Sequence, residues 1–351
     1  MFWNYLKVAL RNSWKNKLIS FINIFSLALG IAACLIIYLF IQDERSFDAF
    51  HTKKDQIFRL NEVQSFPGTN TQNVALSMPG MGPEISKDYP EVKEYTRFWG
   101  RGRQLYEKGD KRFIIEKSVI VDSTFLEVFD FKLISGDRTM VLDEPYSIVI
   151  NTEVATKFFG DDEPLGASLT WGEHEYKVTG VMEKVPENSH LQFDVLISMT
   201  THTSEHPDFN SQFGSNYVVT YLVFDPNANI KAFEKKMPDF LSRSMPPDEG
   251  NTNDVNDYYK LYFQSLSDVH LASMNIEHDY HNYRKFNGTY LDVFSMVGLF
   301  ILLIATFNFM NLITARASHR WKEIGVRKSI GALKSQLFTQ FAVESLSLIH
   351  I

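Results

Sequence analysis

The chain has 351 residues, 44% hydrophobic and 22% charged, with a formal net charge of −7. Its mean hydropathy of −0.16 would suit a soluble protein, but the average conceals an uneven distribution: between Gln42 and Asp292 there are 25 Lys and Arg against 40 Asp and Glu, while the two ends are basic. A central body with a net charge of −15 argues against nucleic acid as a partner, and the single cysteine, Cys34, excludes an internal disulfide framework.

Residues 1–17, MFWNYLKVALRNSWKNK, place Trp3, Leu6, Leu10 and Trp14 at helical spacing beside a polar stripe of Asn4, Lys7, Arg11 and Lys15. That pattern predicts an amphipathic interfacial helix, with rings at headgroup depth and cations toward anionic lipid. Residues 18–41 follow without a charge, long enough to cross a bilayer. Cations precede this span, and Asp43 and Glu44 follow it, so the amino terminus is expected inside. Asn23, Ser26 and Gly30 fall on one helical face, a small and polar stripe suited to helix packing.

Residues 42–292 read as an α+β extracytoplasmic domain, expected to comprise two subdomains, the inserted one at about 116–212. Strands are predicted at 56–63, 112–121, 217–224 and 260–266, residues 147–150 read as an apolar run, and a hairpin is predicted at 169–185 turning at 172–174. Helices are predicted at 79–90, at 123–131, and from Asn151 as cap through Phe159 to Gly160 as stop. A helical pattern at 230–243 contains Pro238, which should break or kink it.

Residues 293–313 form a second uncharged stretch, with Asn308 and Asn311 on one face. Residues 314–336 are short and basic, carrying Arg316, Arg320, Lys322, Arg327, Lys328 and Lys334 against Glu323, and therefore belong on the cytoplasmic side. Trp321, Ile324, Lys328 and Leu333 share one side of a predicted short helix that Gly331 can end, and Glu323 and Arg327 form a favourable i,i+4 pair. Residues 337–351 begin a third apolar run.

No P-loop, GxSxG, CxxC or GxGxxG pattern occurs. His202-Thr-Ser-Glu-His206 matches H-x-x-E-H, but its flanks read as loop and Pro207 follows, so solvated loop histidines are expected there, and surface histidines at 278 and 281. No catalytic residue, cofactor site or metal site is predicted. Were His202 and His206 to bind zinc, the chain would be a membrane-tethered protease.

The fragments NYLKVALRNSWKNKLISFINIFSLALGIA, FLEVFDFKLISGD, SIVINTEVATKFFGDDEPLGASL and YKVTGVMEKVPENSHLQFDVLIS, followed by LIATFNFMNLITARASHRWKEIGVRKSIGALKSQLFTQFAVES, resemble in this order the FtsX-like and MacB-type permeases of ABC transporters, in the form unfused to the ATPase. The resemblance implies an inner-membrane, multi-pass permease subunit with a MacB-like periplasmic core domain. It implies a cytoplasmic ABC ATPase and a second permease subunit as partners beside membrane lipid, with mechanotransmission to the periplasm driving transport of a lipoprotein, peptide or drug cargo that the sequence does not name. It points to Arg320, Glu323, Ile324, Gly325, Arg327, Lys328 and Gly331 as ATPase-coupling residues. Family members have four membrane helices, so the chain is expected to be a truncated product. The alternative is a membrane-anchored sensor signalling through the second span; the third apolar run, about 23 residues after the second, is too near for the long linker such receptors carry.

Overall fold

The computed structural model describes residues 17–246, 254–318, 325–326 and 328–331. The chain divides into two compact units, one drawn from its two ends (Met1–Asp43 and Thr289–Ile351) and the other Glu44–Gly288.

The terminal unit contains two long helices, α1 (Lys17–Arg45) and, at the other end of the chain, a 30-residue helix (Thr289–Ser318). At 1.5 Å per residue each is about 45 Å long, more than the roughly 30 Å of a hydrocarbon core. Ile24–Arg45 and Thr289–Asn311 are apolar enough to span a membrane and only 11% buried, which leaves apolar side chains for lipid to cover.

The other unit is built on β1 (Ile57–Gln64), β2 (Gln72–Val74), α2 (Met81–Asp88), β3 (Val92–Lys108), β4 (Lys111–Val121), α3 (Phe125–Val128), β5 (Leu133–Ser135), β6 (Ser147–Asn151), α4 (Thr152–Phe159), β7 (Ser168–Trp171), β8 (His174–Met182), β9 (Val195–Ser198), α5 (Met199–Glu205), β10 (Val219–Phe224), α6 (Ile230–Glu234), α7 (Met237–Ser244), β11 (Tyr259–Ser265) and α8 (Leu266–Val269). Thr289–Ser318 is α9. The strands form one mixed sheet in the order β11-β1-β10-β3-β4-β9-β6-β8-β5, with β2 on β1 and β7 bridging β3 and β8. Because β7 pairs with both, β4, β9, β6, β8, β7 and β3 close into a ring. Every residue of β6, β9 and β10 is buried, as expected of strands covered on both faces.

Three apolar clusters fill this unit. Phe98, Phe125, Phe129, Phe131 and Phe193 centre the first. Tyr106, Ile148, Phe158, Leu169 and Val195 belong to a second associated with the ring, and Met81, Leu222, Phe233 and Phe240 join α2, α6 and α7 to the sheet in a third. Arg97, fully buried, donates to both Asp122 carboxylate oxygens, at 2.7 and 2.9 Å, and to the Pro79 carbonyl at 2.8 Å, tying the chain before α2 to β3 and β4.

Local signals read from the sequence recur in the structure. Asn151 Oδ1 accepts from the Val154 N–H at 2.9 Å, and Gly160 follows α4 at φ 65°. Pro238 falls in the first turn of α7, so the 230–243 pattern is two helices rather than one kinked helix. Two expectations are corrected. Residues 199–205 are α5, capped by the Ser198 hydroxyl, so His202 is a half-buried helix residue and not a solvated loop residue. His281 is also not a surface histidine: its ring lies where a Cβ on Gly100 would sit, 1.9 Å away.

Candidate functional site

The predicted helix-packing residues are partly brought together. Asn308 Nδ2 donates to Ser26 Oγ at 3.0 Å, joining α1 to α9. One turn along from Ser26, a Cβ on Gly30 would come within 2.7 Å of the Ala305 Cβ, so the backbones approach as closely as small residues permit. Cys34 Sγ donates to the Gly298 carbonyl at 3.2 Å, and Phe40 meets Phe294 edge-on, extending the contact along both helices. Asn311 is exposed, and the Asn23 side chain lies outside the described residues.

Of the predicted coupling residues, Arg320, Glu323, Ile324 and Arg327 lie outside the described residues. Gly325, Lys328 and Gly331 are described and exposed. The Ile330 N–H donates to the Val326 carbonyl at 3.1 Å, and Gly331 has φ 95°, a conformation that favours glycine where a helix stops.

Sequence spacing did not reveal a buried polar clasp inside Glu44–Gly288. It joins residues 44–48, which begin in the last turn of α1, to the segment that precedes α9. His270, stacked on Phe47 at 3.5 Å, has Nε2 2.7 Å from Glu44 Oε2, and its carbonyl accepts from the Phe286 N–H at 3.0 Å. Arg284 Nη2 reaches the other Glu44 oxygen at 3.4 Å. Four residues on, Asp48 adopts φ 55° and places its carboxylate 2.7 Å from His190 Nδ1, while Ser189 Oγ donates to it at 2.8 Å. A carboxylate only accepts, so Nδ1 carries the proton, and Nε2 lies 2.6 Å from the Tyr221 hydroxyl. The His190 carbonyl takes the Tyr283 N–H at 2.7 Å. Thus His190 and His270 each bind an acid of the 44–48 segment through the ring and the 283–286 segment through the backbone.

The electrostatics follow from burial and pairing. Burial alone would raise the Asp48 carboxyl, but His190 and the hydrogen bonds from His190 and Ser189 outweigh it and hold it below the usual range. Burial pushes the His270 imidazole down against the pull of Glu44. It pushes neighbouring His51 down to about 4, and His51 Nδ1 accepts from the Asp130 N–H at 2.9 Å. These groups hold the chain in place. The H-x-x-E-H histidine rings lie 4.6 Å apart, tilted by 47°, but among the described residues no group of three or more His, Cys, Asp or Glu could hold a metal ion.

Two long apolar helices, one before and one after a mixed α/β domain in the chain, are those of a membrane protein. Residues 20–240 match the MacB-like periplasmic core domain, and residues 295–351 match the FtsX-like permease C-terminal region. The chain belongs to the MacB/FtsX-type permease family of ABC transporters. It is 25% identical over 228 residues to the macrolide export ATP-binding/permease protein MacB of Neisseria meningitidis serogroup A, a match covering 64% of this chain and 32% of that protein. It is 24% identical over 204 residues to the ABC transporter permease YknZ of Bacillus subtilis, covering 57% of this chain and 44% of the relative. The chain therefore matches less than half the length of either protein. A permease-protein domain from Porphyromonas gingivalis superposes with a TM-score of 0.51 at 20% identity, covering 61% of this chain and 92% of that one.

Proposed function

We propose that the chain is the permease subunit of an ABC transporter whose ATPase is a separate cytoplasmic protein. Residues 314–336 act as the coupling segment, and the core domain works on the periplasmic side of the inner membrane, with the amino terminus inside. The observation that carries this reading is the occurrence in one chain of both family regions, with long apolar helices at the two ends of one compact unit. The basic character of 314–336 supports a cytoplasmic position. In the proposed assembly two permease subunits meet in the lipid and two ATPase subunits press on their coupling segments. The clasp at His190 and His270 makes the two segments leading to α1 and α9 respond as one body. Residues 116–212, which contribute most of the strand ring, are proposed as the second subdomain. The cargo belongs to the export or extraction class, a lipoprotein, a peptide or a drug.

In membranes where the wild-type chain retains its ABC ATPase through purification, Glu323→Ala and Gly331→Val should lower ATPase recovery and stimulated hydrolysis by about tenfold while leaving the amount of inserted permease unchanged. Such a loss corresponds to about 1.4 kcal/mol of interaction. Undiminished recovery and hydrolysis in both variants would remove 314–336 from the coupling role.

A further inference from the structure

Trp99, Trp171 and Tyr176 wall a cleft of about 200 Å³ that opens beside α5 on the Glu44–Gly288 unit. Buried Ile120 and Ile197 also line it, along with His202 and Glu205 from the unassigned H-x-x-E-H segment. A guanidinium of the chain itself already sits against these rings: Arg101 lies 4.8 Å from the centroid of Trp99 and 5.9 Å from that of Trp171. Both distances fall within cation–π range.

The backbone explains how Arg101 comes to be there. In the β3–β4 ladder Gly100 pairs with Val119 and Gly102 with Ser118, so Arg101 is the extra residue of a bulge, between two glycines, and Gly102 has φ 65°. A bulge re-aims its side chain, and flanking glycines let it move. Arg101 is exposed and makes no ion pair with a described residue. Glu205 accepts from the Tyr146 hydroxyl at 2.8 Å, and among the described residues no Lys or Arg pairs with it. The cleft therefore has rings and a carboxylate suited to a cation, with a residue of its own chain over the rings.

We propose that this cleft is a binding site for an alkylguanidinium or alkylammonium group and that Arg101 is its resident plug, displaced when such a group enters. A cation arriving with an apolar stem would lay the stem on Ile120 and Ile197, place its charge against the tryptophans, and take Glu205 as counter-ion. The His202 imidazole is held below its usual value by burial and by His206, so it stays neutral and adds no competing charge near pH 7. The site does not depend on how the chain is driven from the cytoplasm.

Intrinsic fluorescence of the full chain in lipid nanodiscs reads the site, since two of its five tryptophans line it. The probes are N-acetyl-arginine amide, for a free small cation, and acetyl-Gly-Arg-Gly-amide, for a peptide-borne one. Arg101→Ala should bind either probe about tenfold more tightly than wild type, Arg101→Lys should behave as wild type, and Glu205→Gln and Trp171→Leu in the Arg101→Ala background should weaken binding by about tenfold. Tighter binding of the peptide than of the amide would assign the site to peptides, and equal binding to small amines. No saturable change with either probe in wild type and Arg101→Ala, or equal affinity in those two proteins, would overturn the proposal.

Discussion

Glu62 carries the least comfortable charge among the described carboxylates. Its side chain is buried on β1, Oε2 accepts from Asn216 at 2.6 Å and Gln64 at 3.0 Å, and among the described residues Oε1 has no partner. Burial pushes its pKa up to about 7 against those two hydrogen bonds. A raised carboxyl pKa means that the folded state holds its proton between about pH 4.5 and 7 while the unfolded state has lost it. The stability this provides is complete below 4.5 and is lost as pH rises through 7. Glu62→Gln keeps an acceptor for Asn216 and Gln64, so it should melt near the wild-type temperature at pH 5 and above it at pH 8. The gain is bounded by roughly 3 kcal/mol, and equal melting at pH 8 would contradict the assignment. His51 acts in the opposite sense: with its pKa lowered to about 4, its contribution is present above pH 6.5 and lost as pH falls toward 4. None of this could be read from the sequence. Glu62 meets Asn216 across 154 positions and Glu44 meets His270 across 226, and no spacing rule reaches that far. Ser26, Gly30 and Asn308 stood out in the sequence because helix packing needs small and polar side chains at a periodicity visible along the chain itself.

At the scale of elements, β3 is the strand whose pattern was hardest to see. Its 17 residues alternate cleanly only in part, because the bulges around Gly100 and Gly102 shift the register and Arg101 and Arg103 interrupt the apolar positions. The helix α5 was hidden by threonines of weak helix propensity, although Ser198 offered a cap signal. The Asn151 cap, the helix through Phe159 and the Gly160 stop were legible because all three signals are local. The bulge also explains the correction at His281, whose ring needs a residue without a Cβ at position 100. Gly100→Val should force that ring and the 277–288 segment from their place, while Gly102→Ala, with open space around its Cβ, should only strain a positive φ. Limited proteolysis of the membrane-inserted chain should cut Gly100→Val within 277–288 at least about tenfold faster than Gly102→Ala, a difference of about 1.4 kcal/mol in local opening. Equal cleavage of the two would show that the ring does not anchor the segment.

On the scale of the whole molecule, the account rests on a division of labour by sequence position. Long apolar helices occupy the two ends, an acidic folded unit lies between them, and the basic 314–336 segment follows the second helix. Clasped by His190 and His270, the segments leaving α1 and approaching α9 are tied inside one unit, so a displacement imposed on either should be felt by both. The overall α/β character and the two spans were legible because hydropathy runs and strand patterns are properties of contiguous sequence. The closed strand ring was not, because pairing of β7 with both β3 and β8 is a tertiary fact. The proposed arrangement has direction: on that reading the core domain faces outward and the basic segment inward. Cysteines placed singly at Glu163, exposed after α4, and at Ser329, exposed in the basic segment, read that direction once Cys34 is changed to Ala. Treated with a membrane-impermeant maleimide on intact spheroplasts, Glu163→Cys should label at once and Ser329→Cys only after the membrane is permeabilised; labelling of Ser329→Cys from outside, with Glu163→Cys protected, would contradict the account.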